Sequence, residues 1–130
     1  MASVAFAAPI LPGKLEAWKQ FNNEINGPRR KEFDDQQKRV GITRQRVWLQ
    51  QTPGGDMALV VQEGEEPQRA MEALAASTDA FDVWFREQIK DIHGLDLSRP
   101  LPGPLSELFI DYMQPAQRRG PNYDLPDFNA

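Results

Sequence analysis

The sequence predicts an α+β fold with the ferredoxin-like order β-α-β-β-α-β and an antiparallel sheet. Three observations support this. Short apolar runs bounded by proline or glycine predict four strands. Between them, apolar residues spaced three and four apart predict helices. Each helical region is interrupted, so we expect each helix of the plan to be split in two. A length of 130 residues fits one domain, which we place at 1–112, followed by an extended tail at 113–130.

The first half of the chain is predicted to hold a strand followed by two helices. Residues 3–10, SVAFAAPI, form the strand. One face of the next helix carries Leu15, Trp18, Phe21, Asn22 and Ile25. Gly27-Pro28 interrupts that helix, because proline suits the first turn of a new one. The second helix, residues 29–40, has a charged outer surface and is expected to end at Gly41.

The second half is predicted to hold a hairpin, two more helices and a last strand. Thr43–Gln51 and Asp56–Glu63 flank the turn-forming Pro53-Gly54-Gly55. Glu66-Pro67 begins a helix, and Asp79 caps the next in a variant of the capping box with Asp82. One face of that helix carries a mainly apolar stripe that consists of Phe81, Trp84, Phe85, Gln88, Ile89 and Ile92. Gly94 ends it, and a proline-rich loop leads to the predicted strand Glu107–Tyr112.

Three of the predicted strands are apolar on both faces, which predicts a partner for the sheet. These strands are 3–10, 56–63 and 107–112. A half-exposed antiparallel sheet should alternate apolar and polar residues, and the helices cover only one face. A second copy of the same sheet is the simplest cover for the other face. We therefore expect a homodimer formed through the sheet face.

Composition excludes several classes of function. The 15 Lys and Arg residues are mixed with 19 acids at a net charge of −4, whereas a nucleic-acid partner requires a concentrated basic surface. The absence of cysteine excludes disulfides and cysteine-ligated metals and is typical of a cytoplasmic protein. No apolar run approaches the ~20 residues of a membrane span, and the N-terminal MASVAFAAPILPG favours a strand over a signal peptide. No acid or histidine cluster has metal-ligand spacing, so we expect no metal and no cofactor.

The order of elements, the doubly apolar strands and the run HGLDLSRPLPGPLSELFIDY at 93–112 resemble the dimeric α+β barrel superfamily. The resemblance covers about residues 3–112. Within the superfamily the chain is similar to small bacterial proteins related to antibiotic-biosynthesis-type monooxygenases and stress-responsive barrel proteins. The resemblance implies two sheets facing each other across a dimer and a ligand cavity between sheet and helices in each subunit. Its members include monooxygenases, isomerases, haem-degrading enzymes, stress-responsive barrel proteins and many proteins without known activity, so the fold alone selects no activity.

His93 is the candidate catalytic residue. It is the only histidine, and its side chain titrates near neutral pH. It ends the aromatic helix, and Asp96 beyond Gly94 is placed to orient its ring. The alternative is a histidine that interacts with the last carbonyls of its own helix.

The candidate substrate-binding residues are aromatic, amide and arginine side chains, the types that position an electron-rich phenol or quinol in monooxygenases of the resembled kind. They are Trp18, Asn22, Arg46, Trp48, Trp84 and Phe85. The aromatic residues have an alternative role in an ordinary core. Arg46 and Trp48 share a strand face, and their alternative is the dimer interface.

Three functions are compatible with these residues. The favoured one is binding of a small, largely apolar or aromatic molecule between helices and sheet. One alternative is a cofactor-independent monooxygenase or isomerase in which His93 handles a proton. The other is a non-catalytic structural dimer.

Overall fold

In the computed structural model, which describes residues 2–100 and 103–116, the chain folds in the order β-α-α-β-β-α-α. The elements are β1 (Ala2–Pro9), α1 (Leu15–Asn26), α2 (Arg30–Val40), β2 (Ile42–Thr52), β3 (Gly55–Gly64), α3 (Pro67–Ala76) and α4 (Ala80–His93). The strands form an antiparallel sheet in the order β1-β3-β2. The predicted α+β class, antiparallel sheet and split helices are confirmed.

The predicted fourth strand is absent from the sheet. Residues 107–112 have no regular secondary structure, and Leu108, Phe109 and Ile110 are 74%, 86% and 82% exposed. Within residues 2–100 and 103–116 the sheet therefore has three strands rather than four. An apolar run shows that a segment suits a strand, but a strand also needs a neighbour for its backbone groups, and sequence pattern does not identify that neighbour. Of the predicted tail, residues 117–130 lie outside the described part of the chain.

Strand register divides the sheet into two unlike faces. Val4 is aligned with Gln62 and Ala8 with Ala58, and all four side chains are buried beneath the helices. The covered face consists of Val4, Phe6, Ala8, Gln45, Val47, Leu49, Ala58, Val60 and Gln62. The open face, on the other side, consists of Ala5, Ala7, Arg44, Arg46, Trp48, Met57, Leu59, Val61 and Glu63.

The core lies between the covered face and the helices. Its central buried members are Ile10, Trp18, Phe21, Ile25, Ala58, Leu74, Phe81, Phe85, Ile92 and Leu97. The predicted stripes of α1 and α4 meet here, with the ring centroids of Phe21 and Phe85 5.3 Å apart. Aromatic pairs at this separation stabilise the contact beyond the area they bury.

A buried carboxylate ties α4 to α2. The Asp82 side chain is fully buried and accepts hydrogen bonds from Gln36 Nε2 at 2.9 Å, Arg39 Nη2 at 2.8 Å and Ser77 Oγ at 2.6 Å. Asp79 caps α4 as predicted, because its carboxylate accepts from the backbone N–H groups of Phe81 and Asp82. The second half of the predicted capping box is wrong, since Asp82 is engaged by α2 and Ser77 instead.

Candidate functional site

A cavity of about 90 Å³ lies between the covered face, α1, α3 and α4. Its walls are mainly apolar and include Phe6, Ala8, Trp18, Phe21, Val47, Val60, Met71 and Phe85. Four polar side chains also line it: Asn22, Gln45, Gln62 and His93. A mainly apolar wall with a few polar groups is typical of sites that bind small molecules.

His93 reaches the cavity from the end of α4. Gly94, at φ +71°, adopts the left-handed conformation that ends the helix. His93 is 5% exposed, and its Nδ1 lies 2.7 Å from the carbonyl oxygen of Pro9. A carbonyl only accepts, so Nδ1 carries the hydrogen and Nε2 of the neutral ring is an acceptor. The ring is therefore fixed by the end of β1, and not by the last carbonyls of its own helix.

Burial lowers the pKa of His93 below its ordinary value, and the hydrogen bond with Pro9 opposes this by a smaller amount. The imidazole is thus neutral at pH 7, with a lone pair on Nε2. The expected role of Asp96 is wrong. Its carboxylate accepts from the backbone N–H of Ser98 at 3.0 Å and from the Ser98 hydroxyl.

Gln62 lines the cavity and carries an unsatisfied acceptor. Gln45 Oε1 accepts from both Gln37 Nε2 and Gln62 Nε2 at 3.0 Å, so the nitrogen of the Gln62 amide lies toward Gln45. Its other atom, Oε1, is buried and accepts no hydrogen bond from any residue that the structure describes. A buried polar atom without a partner costs about 1–3 kcal/mol.

Four predicted site residues meet at this cavity: Trp18, Asn22, Phe85 and His93. Asn22 is held by a hydrogen bond from its Nδ2 to the Trp18 carbonyl at 2.8 Å. Trp18 and Phe85 also belong to the core cluster. The aromatic residues therefore serve as core and as cavity wall at once.

Trp84 packs elsewhere. Its ring lies 5.6 Å from that of Phe21 and 5.4 Å from that of Phe81, measured between centroids. The guanidinium of Arg29 covers it, with Cζ 4.1 Å from a Trp84 ring centroid. This cation–π contact closes the outer side of the aromatic core.

Arg46 and Trp48 lie on the open face, across the sheet from the cavity. Arg46 Cζ is 5.1 Å from the Trp48 ring centroid, and Trp48 is 46% exposed. The structure thus separates the predicted binding residues into a cavity group and a surface pair.

Gln45 and Gln62 are cavity residues that the sequence analysis missed. Gln62 continues the period of two set by Ala58 and Val60, so it occupies a position where an apolar residue is expected. That polar interruption is the signal that identifies it.

Comparison with protein-family models, curated proteins and solved structures found no match to this chain. The resemblance to dimeric α+β barrels therefore stays a prediction from the sequence. Among the described residues, no helix is long and apolar enough to cross a membrane. The same part of the chain contains no group of three or more acidic or histidine side chains that could hold a metal ion. The cytoplasmic location stays a prediction.

Proposed function

We propose that the protein binds a small, largely apolar or aromatic molecule that carries a hydrogen-bond donor, such as a phenol hydroxyl. The observation that carries this proposal is the buried, unsatisfied Oε1 of Gln62, a residue that lines an otherwise mainly apolar cavity. An O–H or N–H group of the ligand donates the missing hydrogen bond to Oε1. The free-energy cost of a buried acceptor without a partner is then removed. His93 lines the same cavity, and Nε2 of its neutral ring is a second acceptor.

Cavity size limits the ligand to about one ring. The volume of about 90 Å³ is well below the range of drug-sized sites, which is about 300–1,000 Å³. Benzene enters an engineered apolar cavity of about 150 Å³. We therefore expect Met71, an unbranched wall residue, to change rotamer when a ring binds.

A thermal-shift comparison of phenol and toluene tests the proposal, because the two molecules share a ring and differ in the hydrogen-bond donor. We expect phenol to raise the melting temperature of the wild type more than toluene does. Gln62→Met removes the acceptor at similar volume and should abolish the difference. Gln51→Met makes the same change at an exposed position of β2 and should preserve it. Equal responses to both compounds in the wild type would contradict donor recognition. The absence of any response would favour the non-catalytic structural dimer.

The second candidate is an enzyme, a cofactor-independent monooxygenase or isomerase. The arrangement of His93 favours it, because the residue lines the cavity and its bond to Pro9 leaves Nε2 as the basic nitrogen. Nε2 would accept the hydroxyl proton of the bound substrate, giving an imidazolium and an oxyanion. Oxygen uptake and product formation with phenols and quinols, measured for the wild type and His93→Gln, test this. Unchanged turnover in His93→Gln would exclude a proton-transfer role.

We further propose that two copies associate through their open faces as a dimeric α+β barrel. Met57, Leu59, Val61 and Trp48 give this face an apolar centre that the helices leave uncovered. Apolar sheet faces of this kind mark interaction surfaces. Light scattering at micromolar concentration tests the proposal, and a monomeric mass would contradict it.

A further inference from the structure

Residues 107–112, ELFIDY, form an exposed segment without regular secondary structure that we name the C-terminal arm. Leu108, Phe109 and Ile110 are among the most exposed large apolar side chains of the described chain. Phe109 and Ile110 are side-chain types enriched in strands, and here they lie in water without a neighbouring strand, so the segment is an interaction surface or an aggregation hazard. We therefore expect the arm to bind a surface that covers these apolar side chains.

The arm begins at the β1 edge of its own sheet. Ser106 Oγ accepts a hydrogen bond from the backbone N–H of Ala5 at 3.0 Å, immediately before the arm. Pro9 O on the same edge is occupied by His93. The opposite edge is β2, with β3 between them. Neighbouring strands are about 4.8 Å apart, so an arm that starts on the outer side of β1 would have to cross about four such spacings to lie along the free edge of β2 of its own copy.

The β2 strand offers a free edge. It is eleven residues long, pairs with β3 on one side, and is exposed along most of its length. Val47 is 37% exposed and Leu49 is 36% exposed, although both belong to the covered face. An exposed edge of this length is a template for an added strand.

We infer that the arm of each copy adds as an antiparallel fourth strand along β2 of the second copy. This inference rests on the proposed homodimer and names the segment that joins the two copies. In the register that we propose, the opposing pairs are Leu108 with Leu49, Phe109 with Trp48, Ile110 with Val47, and Asp111 with Arg46.

Complementary side chains select this register. Glu107, Phe109 and Asp111 alternate along one side of the arm and meet the open face of β2. There Arg46 faces Asp111 and Trp48 faces Phe109, an opposite-charge pair and an aromatic pair. The other side brings Leu108 and Ile110 onto Leu49 and Val47. A shift by one residue would place the two acids against the apolar covered face, which strongly disfavours it.

Symmetry favours a second copy of this chain, rather than an unrelated protein, as the binding partner of the arm. One chain supplies both the arm and the edge that the arm fits, so a two-fold dimer buries both arms at once and leaves no open end. Val47 also lines the cavity. Ile110 of the partner subunit would lie against Val47, so the exchanged arm would support the cavity wall at the β2 edge.

Disulfide trapping tests the register, because the chain has no cysteine of its own. Opposing residues in antiparallel strands have Cα atoms about 4.5–5.5 Å apart, a separation that a disulfide spans. The double variant Arg46→Cys/Asp111→Cys should form a covalent dimer on a non-reducing gel that reductant dissolves. Leu49→Cys/Asp111→Cys, with the second thiol three residues away on the other face, should not. Absence of the cross-link in the first variant, or equal cross-linking in both, would overturn the proposed register.

Light scattering of an arm variant separates this inference from the proposed homodimer. Phe109→Asp/Ile110→Asp changes only exposed side chains, so the subunit fold should survive, as checked by far-UV circular dichroism. We expect a dimeric wild type, a monomeric double variant and a dimeric Leu105→Asp control, which alters an exposed leucine just before the arm. A monomeric wild type would overturn both the homodimer and the arm exchange. A dimeric wild type with a dimeric double variant would overturn the arm exchange alone.

Discussion

The covered and open faces of the sheet are built from alternate residues of the same three strands, yet their surroundings are opposite. Val60 on the covered face is 9% exposed and packs toward the helices, whereas Trp48 on the open face is 46% exposed. Both faces are apolar at their centre. The comparison shows that a doubly apolar strand has two separate packing requirements, and that a single copy of this chain meets only one of them.

The largest expected effect comes from placing the same charge on each face. Val60→Asp buries an unpaired carboxylate beneath the helices and should destabilise the fold by roughly 3–5 kcal/mol, leaving the chain largely unfolded. Val61→Asp, one residue later, points to the open face and should leave a folded monomer. Far-UV circular dichroism and light scattering of the two variants check this. A folded Val60→Asp, or an unfolded Val61→Asp, would contradict our assignment of the two faces.

A smaller effect on stability is expected from removing one carboxylate on each side of the sheet, Asp82 on the covered side and Glu63 on the open face. Removing the carboxylate in Asp82→Ala leaves the buried Gln36 amide without an acceptor, which should cost about 1–3 kcal/mol, while the 40% exposed Arg39 can turn to water. Glu63 on the open face pairs with Arg44 at 3.7 Å, and the arginine is 61% exposed. Glu63→Ala should therefore change the free energy of unfolding by less than about 1 kcal/mol. Urea unfolding measures both, and Asp82→Asn, which keeps an acceptor oxygen, should lose less than Asp82→Ala.

Local patterns predicted most of the fold because they act within a few residues. The stripes of α1 and α4, the hairpin around Pro53-Gly54-Gly55 and the ends at Gly41 and Gly94 all follow from spacing and backbone preference. Residues 107–112 were the exception. Their composition suits a strand, but the neighbour that would make them one is not fixed by any local pattern.

The candidate site was predictable only in part, for a related reason. Helical spacing predicted that Trp18 and Asn22 share one face of α1 and that Phe85 lies on the apolar face of α4. The cavity forms where these two faces meet the sheet. Gln62 and its bond to Gln45 depend on strand register, which joins residues 17 positions apart. Whether Arg46 and Trp48 face the cavity or the open side depends on which face of the sheet the helices pack against. Both faces of these strands are apolar enough for the helices to cover them.

Charge reversal at the proposed arm contact should have a moderate effect, confined to the open face. Arg46→Asp and Asp111→Arg should each weaken dimerisation by about tenfold, the order expected for one close pair of opposite charges. The double variant Arg46→Asp/Asp111→Arg should restore most of the loss because the pair is re-formed with exchanged signs. Sedimentation equilibrium gives the dissociation constants. Additive losses in the double variant would show that these two side chains do not meet.

The smallest expected effect is the pH dependence contributed by His93 on the covered side. Its pKa in the folded chain is lowered by burial, whereas in the unfolded chain it should lie near about 6.5. As the pH falls below that value, the unfolded chain takes up the proton first, so stability decreases until the folded pKa is passed. Melting temperatures recorded between about pH 8 and pH 5 avoid most carboxylate titration and should fall more steeply for the wild type than for His93→Gln. Only the slopes are compared, since the substitution also removes the bond to Pro9. Equal slopes would mean that the ring titrates as in water, and the covered face would then be open to solvent at His93.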